Sequence, residues 1–534
     1  MGTNGEDSTA VTSTATGAQP VSPAGAAPRR FSGDRVGLGA RIAGAAVSGA
    51  LVALAFPPYD IWPLAPVGVA LLTLICRGRR ARDTAVLGLV HGLATFLPLV
   101  SWMTVIGPDA WVMLSLLEAS FLALMSALLP SVLRVPGWPV WVAALWVAQE
   151  AARGRVPFGG FPWGRLAFAE TAAPFTSYAA VGGAPLVTFA TALAGALLAA
   201  AVLHIRTAQR SAALLLLAAV AVPTSGLVVP TGAGEGKRVT VALVQGGVPG
   251  SGMDFEGERE QVLRNHVDAT RRLAADVRSG VVAAPDLVIW PENASDIDPL
   301  TDPGARALID GAVRDIGVPV LVGAVLDGPG DDYVSNSGIV WDATTGPGDR
   351  YVKRHPVPFG EYIPFRAQLS GIVERLEQIP RDFFAGGEPG NLTVGPAEVG
   401  DVICFEVAYD GLVRDVVAGG ADVLVVQTNN ATYNGTGQPQ QQMAMSRLRA
   451  VEHGRSVLVA ATSGISAIVD ADGTVVKRAP ERTARNLVAD VTLHEGTTVA
   501  DRLGGGPEWL LAALGLVTVG LGVRRRRASE RPSS

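Results

Sequence analysis

Eight stretches of nearly unbroken apolar residues punctuate this chain, and a long segment of short alternating runs separates the seventh from the eighth. The apolar stretches are Val36–Phe56, Leu64–Cys76, Ala85–Val105, Trp111–Leu133, Trp138–Ala152, Val181–Ile205, Ala212–Val229 and Trp509–Val523. A helix needs about 20 residues to cross a bilayer core, and most of these approach that length. They predict a polytopic helical bundle of about eight spans. Met1–Arg35 precedes them, rich in Ser, Thr, Ala, Gly and Pro, and predicts a disordered tail.

From Gly232 to about Arg502 the pattern changes. Val241–Gln245 and Asp286–Trp290 are short β-branched runs of the buried-strand kind. Val318–Val325, Gly338–Trp341, Val402–Phe405 and Val423–Val426 read as further strands. Glu256–Arg278 places Val262, Leu263, Val267, Leu273, Ala274 and Val277 at helical spacing, and Gln440–Arg455 predicts another helix. Ser466–Val469 and Thr474–Val476 flank Asp470-Ala471-Asp472-Gly473, a hairpin signal. Strands alternating with helices predict an α/β or α+β domain inserted between the last two spans.

Composition agrees with a membrane protein. Of 534 residues 49% are hydrophobic, and only 17% are charged, against roughly 25% in soluble chains. The net charge of −5 gives no electrostatic basis for a nucleic-acid partner. The basic residues also orient the spans. Arg29, Arg30 and Arg35 put the start of the chain in the cytoplasm. Arg77, Arg79, Arg80, Arg82, Arg134, Arg206, Arg210 and Arg524–Arg527 then fall on the same side. The resulting order is a cytoplasmic tail (1–35), a seven-helix membrane domain (36–231), an extracytoplasmic domain (232–502), an eighth span (503–527) and a second cytoplasmic tail (528–534). Arg153, Arg155 and Arg165 break the pattern, and would either touch lipid phosphates or pack within the protein. Glu118 and Glu150 lie within or at the end of spans, where an acid must be paired or used.

Candidate chemistry is sparse. There are two cysteines, Cys76 and Cys404, with no disulfide framework and no Cys/His cluster for a metal. Topology sets Cys76 inside and Cys404 outside, so they cannot pair. An unpaired Cys in an oxidising compartment is either buried or used. Glu292, in Trp290-Pro291-Glu292-Asn293, directly follows a strand, where α/β folds place their sites. Of 43 basic residues only Lys237, Lys353 and Lys477 are lysines. Lys353 therefore stands out in Tyr351-Val352-Lys353-Arg354-His355, because Lys offers a compact charge with a tunable pKa.

Taken together, Gly232–Arg502 resembles the nitrilase superfamily, whose Glu-Lys-Cys triad falls here on Glu292, Lys353 and Cys404. Over roughly Val36 to Val523 the chain resembles the apolipoprotein N-acyltransferase family. Phe56-Pro57-Pro58-Tyr59-Asp60-Ile61-Trp62-Pro63, Ser101-Trp102, Gly160-Phe161-Pro162-Trp163-Gly164, Pro358-Phe359-Gly360-Glu361-Tyr362 and Cys404-Phe405-Glu406 carry that likeness. Departures are Asn429-Asn430, where Asn-Asp is common, Phe405 for a usual Tyr, and Asp254-Phe255 near a usual Trp. The resemblance implies an α-β-β-α sandwich and no cofactor. It implies acyl transfer from a membrane phospholipid to the amino terminus of a diacylglyceryl apolipoprotein, by a monomer in the cytoplasmic membrane. Cys404 would carry the acyl group, Glu292 would be its base, and Lys353 with the Phe405 N–H would hold the oxyanion. Glu361 and Glu406 would be supporting carboxylates, holding Lys353 or orienting the amine. A membrane-anchored amidase of the same superfamily and a non-catalytic binding protein are the alternatives.

Overall fold

The computed structural model describes residues 37–232, 236–248, 259–369 and 379–530. The expected N-terminal tail, the Asp254-Phe255 segment and residues 531–534 lie outside them. Helices α1 (Leu38–Ala55), α2 (Leu64–Cys76), α3 (Ala81–Leu99), α4 (Pro108–Val132), α5 (Trp138–Arg153), α6 (Ala179–His204) and α7 (Gln209–Ser225) pack together. Small residues let them approach closely. A Cβ on Gly49 of α1 would lie only 2.1 Å from the His91 carbonyl of α3, so only glycine fits that crossing. Among the described residues, five helical segments are long and apolar enough to cross a membrane: Leu38–Ala55, Pro108–Val132, Pro174–His204, Gln209–Val228 and Gly506–Ala528. Leu64–Cys76 is apolar but shorter. The third apolar stretch is not one helix. It ends at Leu99, just after Pro98, and Ser101–Val105 turns as a 3-10 helix.

The α/β region follows. Its elements are β1 (Lys237–Gln245), α8 (Arg259–Arg278), β2 (Leu287–Ile289), α9 (Pro303–Ile316), β3 (Val320–Asp327), β4 (Tyr333–Asp342), β5 (Gly346–Val352), α10 (Arg366–Leu369), β6 (Asp382–Phe383) and β7 (Asn391–Val394). Then come β8 (Ala397–Ile403), α11 (Asp410–Ala418), β9 (Val423–Thr428), α12 (Gln438–His453), β10 (Val457–Ala461), β11 (Ala467–Val469), β12 (Val475–Arg478), β13 (Arg485–Leu493), α13 (Val499–Leu503) and α14 (Gly506–Glu530). One sheet runs β13-β1-β2-β3-β4-β5, with β6 on β4, and the other runs β12-β11-β10-β9-β8-β7. The hairpin read at Asp470–Gly473 joins β11 to β12.

Strand periodicity explains the layering, since alternate side chains face opposite ways. Val241, Leu243, Leu287, Ile289, Val423, Val425, Leu458 and Ala460 meet in a core between the sheets. Ala242, Val244, Val288 and Trp290 point the other way, onto α8 and α9. Leu424, Val426, Val457 and Val459 join a third core with α12. That third core is continuous with the helical bundle: it also contains Val52, Leu72, Phe96, Trp146 and Val187. One face of the second sheet is therefore covered jointly by α12 and the apolar helices. The strand read at Val402–Phe405 stops at Ile403, because Cys404 adopts φ +55 and cannot continue an extended chain.

The three arginines that broke the charge pattern each have an acidic partner in the protein. Arg153 and Glu118, both 1% exposed, pair at 2.7 Å. Arg153 also donates to the carbonyls of Phe161 and Trp163. Arg155 pairs with Glu508 of α14 at 2.5 Å and lies over the Trp509 ring. Arg165 pairs with Asp410 at 2.7 Å and lies 3.6 Å from Glu150. Removing one member of a buried pair strands the other charge and costs about 3–5 kcal/mol. Arg153→Met should therefore lower the melting temperature in detergent by more than Arg153→Met combined with Glu118→Gln. Equal losses would show that the pair is not mutually dependent.

Candidate active site

The loops after the C-terminal ends of β2, β5, β8 and β9 converge, and each brings one polar group. Glu292 follows β2, Lys353 follows β5, Cys404 follows β8 and Asn429 follows β9. The Lys353 ammonium, 1% exposed, sits 3.0 Å from Glu292 Oε1 and 2.8 Å from Glu361 Oε1. Asn336 on β4 spans the same two carboxylates, donating to Glu292 Oε1 at 2.7 Å and to Glu361 Oε1 at 3.3 Å. The second oxygen of Glu292 accepts the Asn429 N–H at 2.7 Å, and that of Glu361 accepts the Val357 N–H at 2.7 Å. Each carboxylate is thus fixed at both ends. Burial alone would lower the Lys353 pKa, but the carboxylates of Glu292 and Glu361 reverse that and hold it well above the usual range.

Cys404 stands at a sharp turn. Its left-handed backbone is unusual for a residue with a side chain and must be held by its surroundings. The 3-10 helix Cys404–Ala408 begins there. Gln442 of α12 donates to the Cys404 carbonyl at 3.2 Å. The thiol is shifted by several neighbours. Burial raises its pKa most, the Glu292 carboxylate adds to that, and the Lys353 ammonium and a hydrogen bond with Thr428 oppose it. The balance pushes it up to about 12. The resting group is therefore a thiol, which ionises only if its proton has somewhere to go.

Glu406 does not touch the Lys353 ammonium. Fully buried, it accepts the N–H groups of Ile403 (2.7 Å), Arg354 (2.8 Å) and His355 (3.0 Å) and the Tyr351 hydroxyl. It ties the residues after Lys353 to the residue before Cys404. Burial raises its pKa most, and the Ile403 N–H and Lys353 oppose that. Of the two readings for supporting carboxylates, Glu361 holds the lysine directly, whereas Glu406 clamps the backbone that presents it. The Phe405 ring stacks on Phe161 at 5.6 Å and Trp163 at 5.9 Å, so the Gly160–Gly164 motif forms an apolar wall against the residue that follows Cys404. Asn336, Asn429, Thr428 and Gln442 were not anticipated. Asn336 lies inside a strand and carries no local signal; Gln442 follows two other glutamines on a helix that reads as ordinary packing.

The fold is that of a carbon–nitrogen hydrolase built onto apolar helices, and residues 240–501 match the carbon-nitrogen hydrolase domain. Residues 48–197 match the apolipoprotein N-acyltransferase N-terminal domain. The chain is 38% identical over 504 residues to the apolipoprotein N-acyltransferase of Mycolicibacterium smegmatis, covering 89% of this chain and 84% of that one. It is 31% identical to the Azotobacter vinelandii enzyme of that name, covering 91% and 95%. An amidase of the nitrilase superfamily from Nesterenkonia superposes with a TM-score of 0.36 at 19% identity, covering 49% of this chain and 93% of that one. The chain belongs to the apolipoprotein N-acyltransferase family.

The raised thiol pKa of Cys404 gives a direct titration test. At about pH 9 a free thiol of pKa ~8.5 is mostly ionised, but Cys404 should remain protonated. The ultraviolet thiolate band in the difference between wild type and Cys404→Ala should be absent there. A full band at that pH would show that Lys353 outweighs burial and Glu292.

Proposed function

We propose that this protein transfers a fatty acyl chain from a membrane phospholipid to the α-amino group of an S-diacylglyceryl cysteine at a lipoprotein N-terminus. The observation that carries the reading is the buried Lys353 ammonium between Glu292 and Glu361, beside a cysteine at a strained turn, in a chain of this family. Cys404 is the nucleophile, Glu292 the general base and Lys353 the oxyanion partner. The carboxylate of Glu292 takes the Sγ–H proton as sulfur attacks the ester carbonyl carbon, so that free thiolate need not accumulate. Proton transfer also neutralises the charge that most disfavours the sulfur anion. The ester oxygen gains negative charge, which the Lys353 ammonium and the Phe405 N–H stabilise. Collapse breaks the C–O bond, and the departing alkoxide of the lysophospholipid recovers the proton from Glu292. A thioester remains on Cys404.

In the second half the amine nitrogen attacks the thioester carbon and Glu292 accepts its proton. The C–S bond breaks, leaving an amide on the lipoprotein, and the proton returns to sulfur. The reading is therefore ping-pong. Glu361 keeps Lys353 in place, and Glu406 keeps the Lys353 and Cys404 backbones in register. The eight helices α1–α7 and α14 are assigned as spans in the cytoplasmic membrane. The α/β region between α7 and α14 is assigned to the extracytoplasmic side, where a lipid tail can stay near the bilayer. Withdrawing a chain into water would cost about 0.8 kcal/mol per CH₂. The shared core of bundle and domain supports acyl transfer between lipids over hydrolysis of a soluble amide.

Incubating the purified protein with phospholipid should yield a hydroxylamine-labile acyl adduct on Cys404, read by peptide mass. Cys404→Ala should give neither adduct nor N-acylated lipoprotein, and full transfer by that variant would overturn the mechanism. Glu292→Gln keeps the shape but removes the base, so adduct formation should slow by at least about a hundredfold. Adduct that is discharged to water at the same rate with and without lipoprotein would favour an amidase or esterase.

A further inference from the structure

We propose that helix α12 is a strut that keeps the Cys404 turn in register with the membrane-domain loop Phe161–Arg165, with Gln441, Gln442 and Arg449 as positioning residues. A glutamine side chain has two donor hydrogens and two acceptor lone pairs. Gln441 uses all four across the junction of bundle and α/β domain. Its Oε1 accepts the indole N–H of Trp102 at 3.1 Å and of Trp163 at 2.7 Å. Its Nε2 donates to the carbonyls of Leu99 at 3.0 Å and Pro57 at 3.3 Å. One side chain of α12 thus holds the ends of α1 and α3 and the loop after α5.

The other face of α12 grips the nucleophile turn. Gln442 and Arg449 are two helical turns apart and lie on one side of the helix. Gln442 Nε2 donates to the Cys404 carbonyl at 3.2 Å and to the Thr428 hydroxyl at 3.1 Å. Arg449, fully buried, donates to the carbonyls of Val407 at 2.8 Å and Ala408 at 3.0 Å. Both ends of Cys404–Ala408 are therefore fixed to the same helix. Arg449 also donates to Asp410 at 2.7 Å, and Asp410 accepts Arg165 at 2.7 and 2.8 Å. The loop is held at Trp163 through Gln441 and at Arg165 through Asp410.

The Phe161, Trp163 and Phe405 stack joins the two gripped segments. Under this proposal a long chain attached to Sγ is laid along that stack, one residue on from the nucleophile, and its fit depends on the spacing that α12 sets. A small group on sulfur makes no such demand. Loss of the Gln441 contacts should therefore penalise long-chain reagents selectively, whereas loss of Gln442 should penalise every reagent that needs the strained turn. An offset of about 1 Å in such a register can lower a rate by about a hundredfold.

The proposal rests on Cys404 being the acylated residue for its meaning in catalysis, but its test uses alkylation. Full-length protein in nanodiscs is treated with iodoacetamide or with N-dodecyl iodoacetamide, and modification of Cys404 is followed by mass. In Gln441→Met the long-to-short rate ratio should fall at least about tenfold, as a register shift predicts. In Gln442→Leu both rates should fall together with the ratio kept. An unchanged ratio in Gln441→Met, or the same ratio change in both variants, would overturn the strut. If Gln441→Met fails to fold, Trp102→Phe, which removes one of the four hydrogen bonds without altering the stack residues, decides: a lower ratio supports the strut and an unchanged one overturns it. Absence of a phospholipid-derived adduct on wild-type Cys404 would instead sink the acyl-transfer reading, and the alkylation ratios would still judge the strut.

Discussion

An ammonium ion stripped of water is the constraint to which the α/β domain is built. A buried charge is tolerated only when it is paired and its hydrogens are satisfied. Lys353 meets that demand with two carboxylates from different loops, Glu292 and Glu361, bridged by Asn336. Each carboxylate is then fixed by a backbone N–H, from Asn429 and Val357. Strand β4 and the loops after β2, β5 and β9 are drawn to one point by that requirement. The surplus negative charge has a consequence for the neighbouring sulfur. Burial and Glu292 keep the Cys404 thiol protonated against the pull of Lys353. Under the proposed mechanism, reactivity is then released by proton transfer at the moment of attack, and an idle enzyme presents no thiolate to oxidants.

The second organising fact is that the bundle and the α/β domain share a core. The outer face of β8–β10 is covered by α12, and α12 is covered by the apolar helices. Polar groups at this junction cannot be left to solvent, so they are matched internally. Gln441 saturates two indoles and two carbonyls, Arg153 serves Glu118 and two carbonyls, and Asp410 sits between Arg165 and Arg449. Such networks specify geometry more than they add stability, because the energy of desolvating the charges offsets much of their attraction. Under the proposed function, a junction of this kind holds the reacting carbonyl at a fixed separation from the apolar helices.

Much of the architecture was legible in the sequence because it depends on local periodicity. The apolar stretches marked the helices α1, α2 and α4–α7, and the β-branched runs marked β1–β4, β8 and β9. Short or polar strands were not legible. The exposed residues of β5 carry no alternation, and β6 and β7 are only two and four residues long. The third stretch reads as continuous by composition, yet its helix ends at Leu99 and a 3-10 turn follows.

Glu292, Lys353, Cys404, Glu361 and Glu406 could be named as candidates because each stands in a short motif at a strand end or in the loop that follows it. Their arrangement could not. Which carboxylate touches the ammonium, which one clamps the backbone, and whether the thiol is ionised depend on burial and on distances between loops far apart in the chain. The same holds for Arg153, Arg155 and Arg165. Sequence could say only that three charges lay on the unexpected side; tertiary packing supplied an acidic partner for each. Local pattern determined which elements form and which side chains could react. The folded structure alone decided their pairing, because electrostatic partnership falls off over a few ångströms and the sequence carries no such distances.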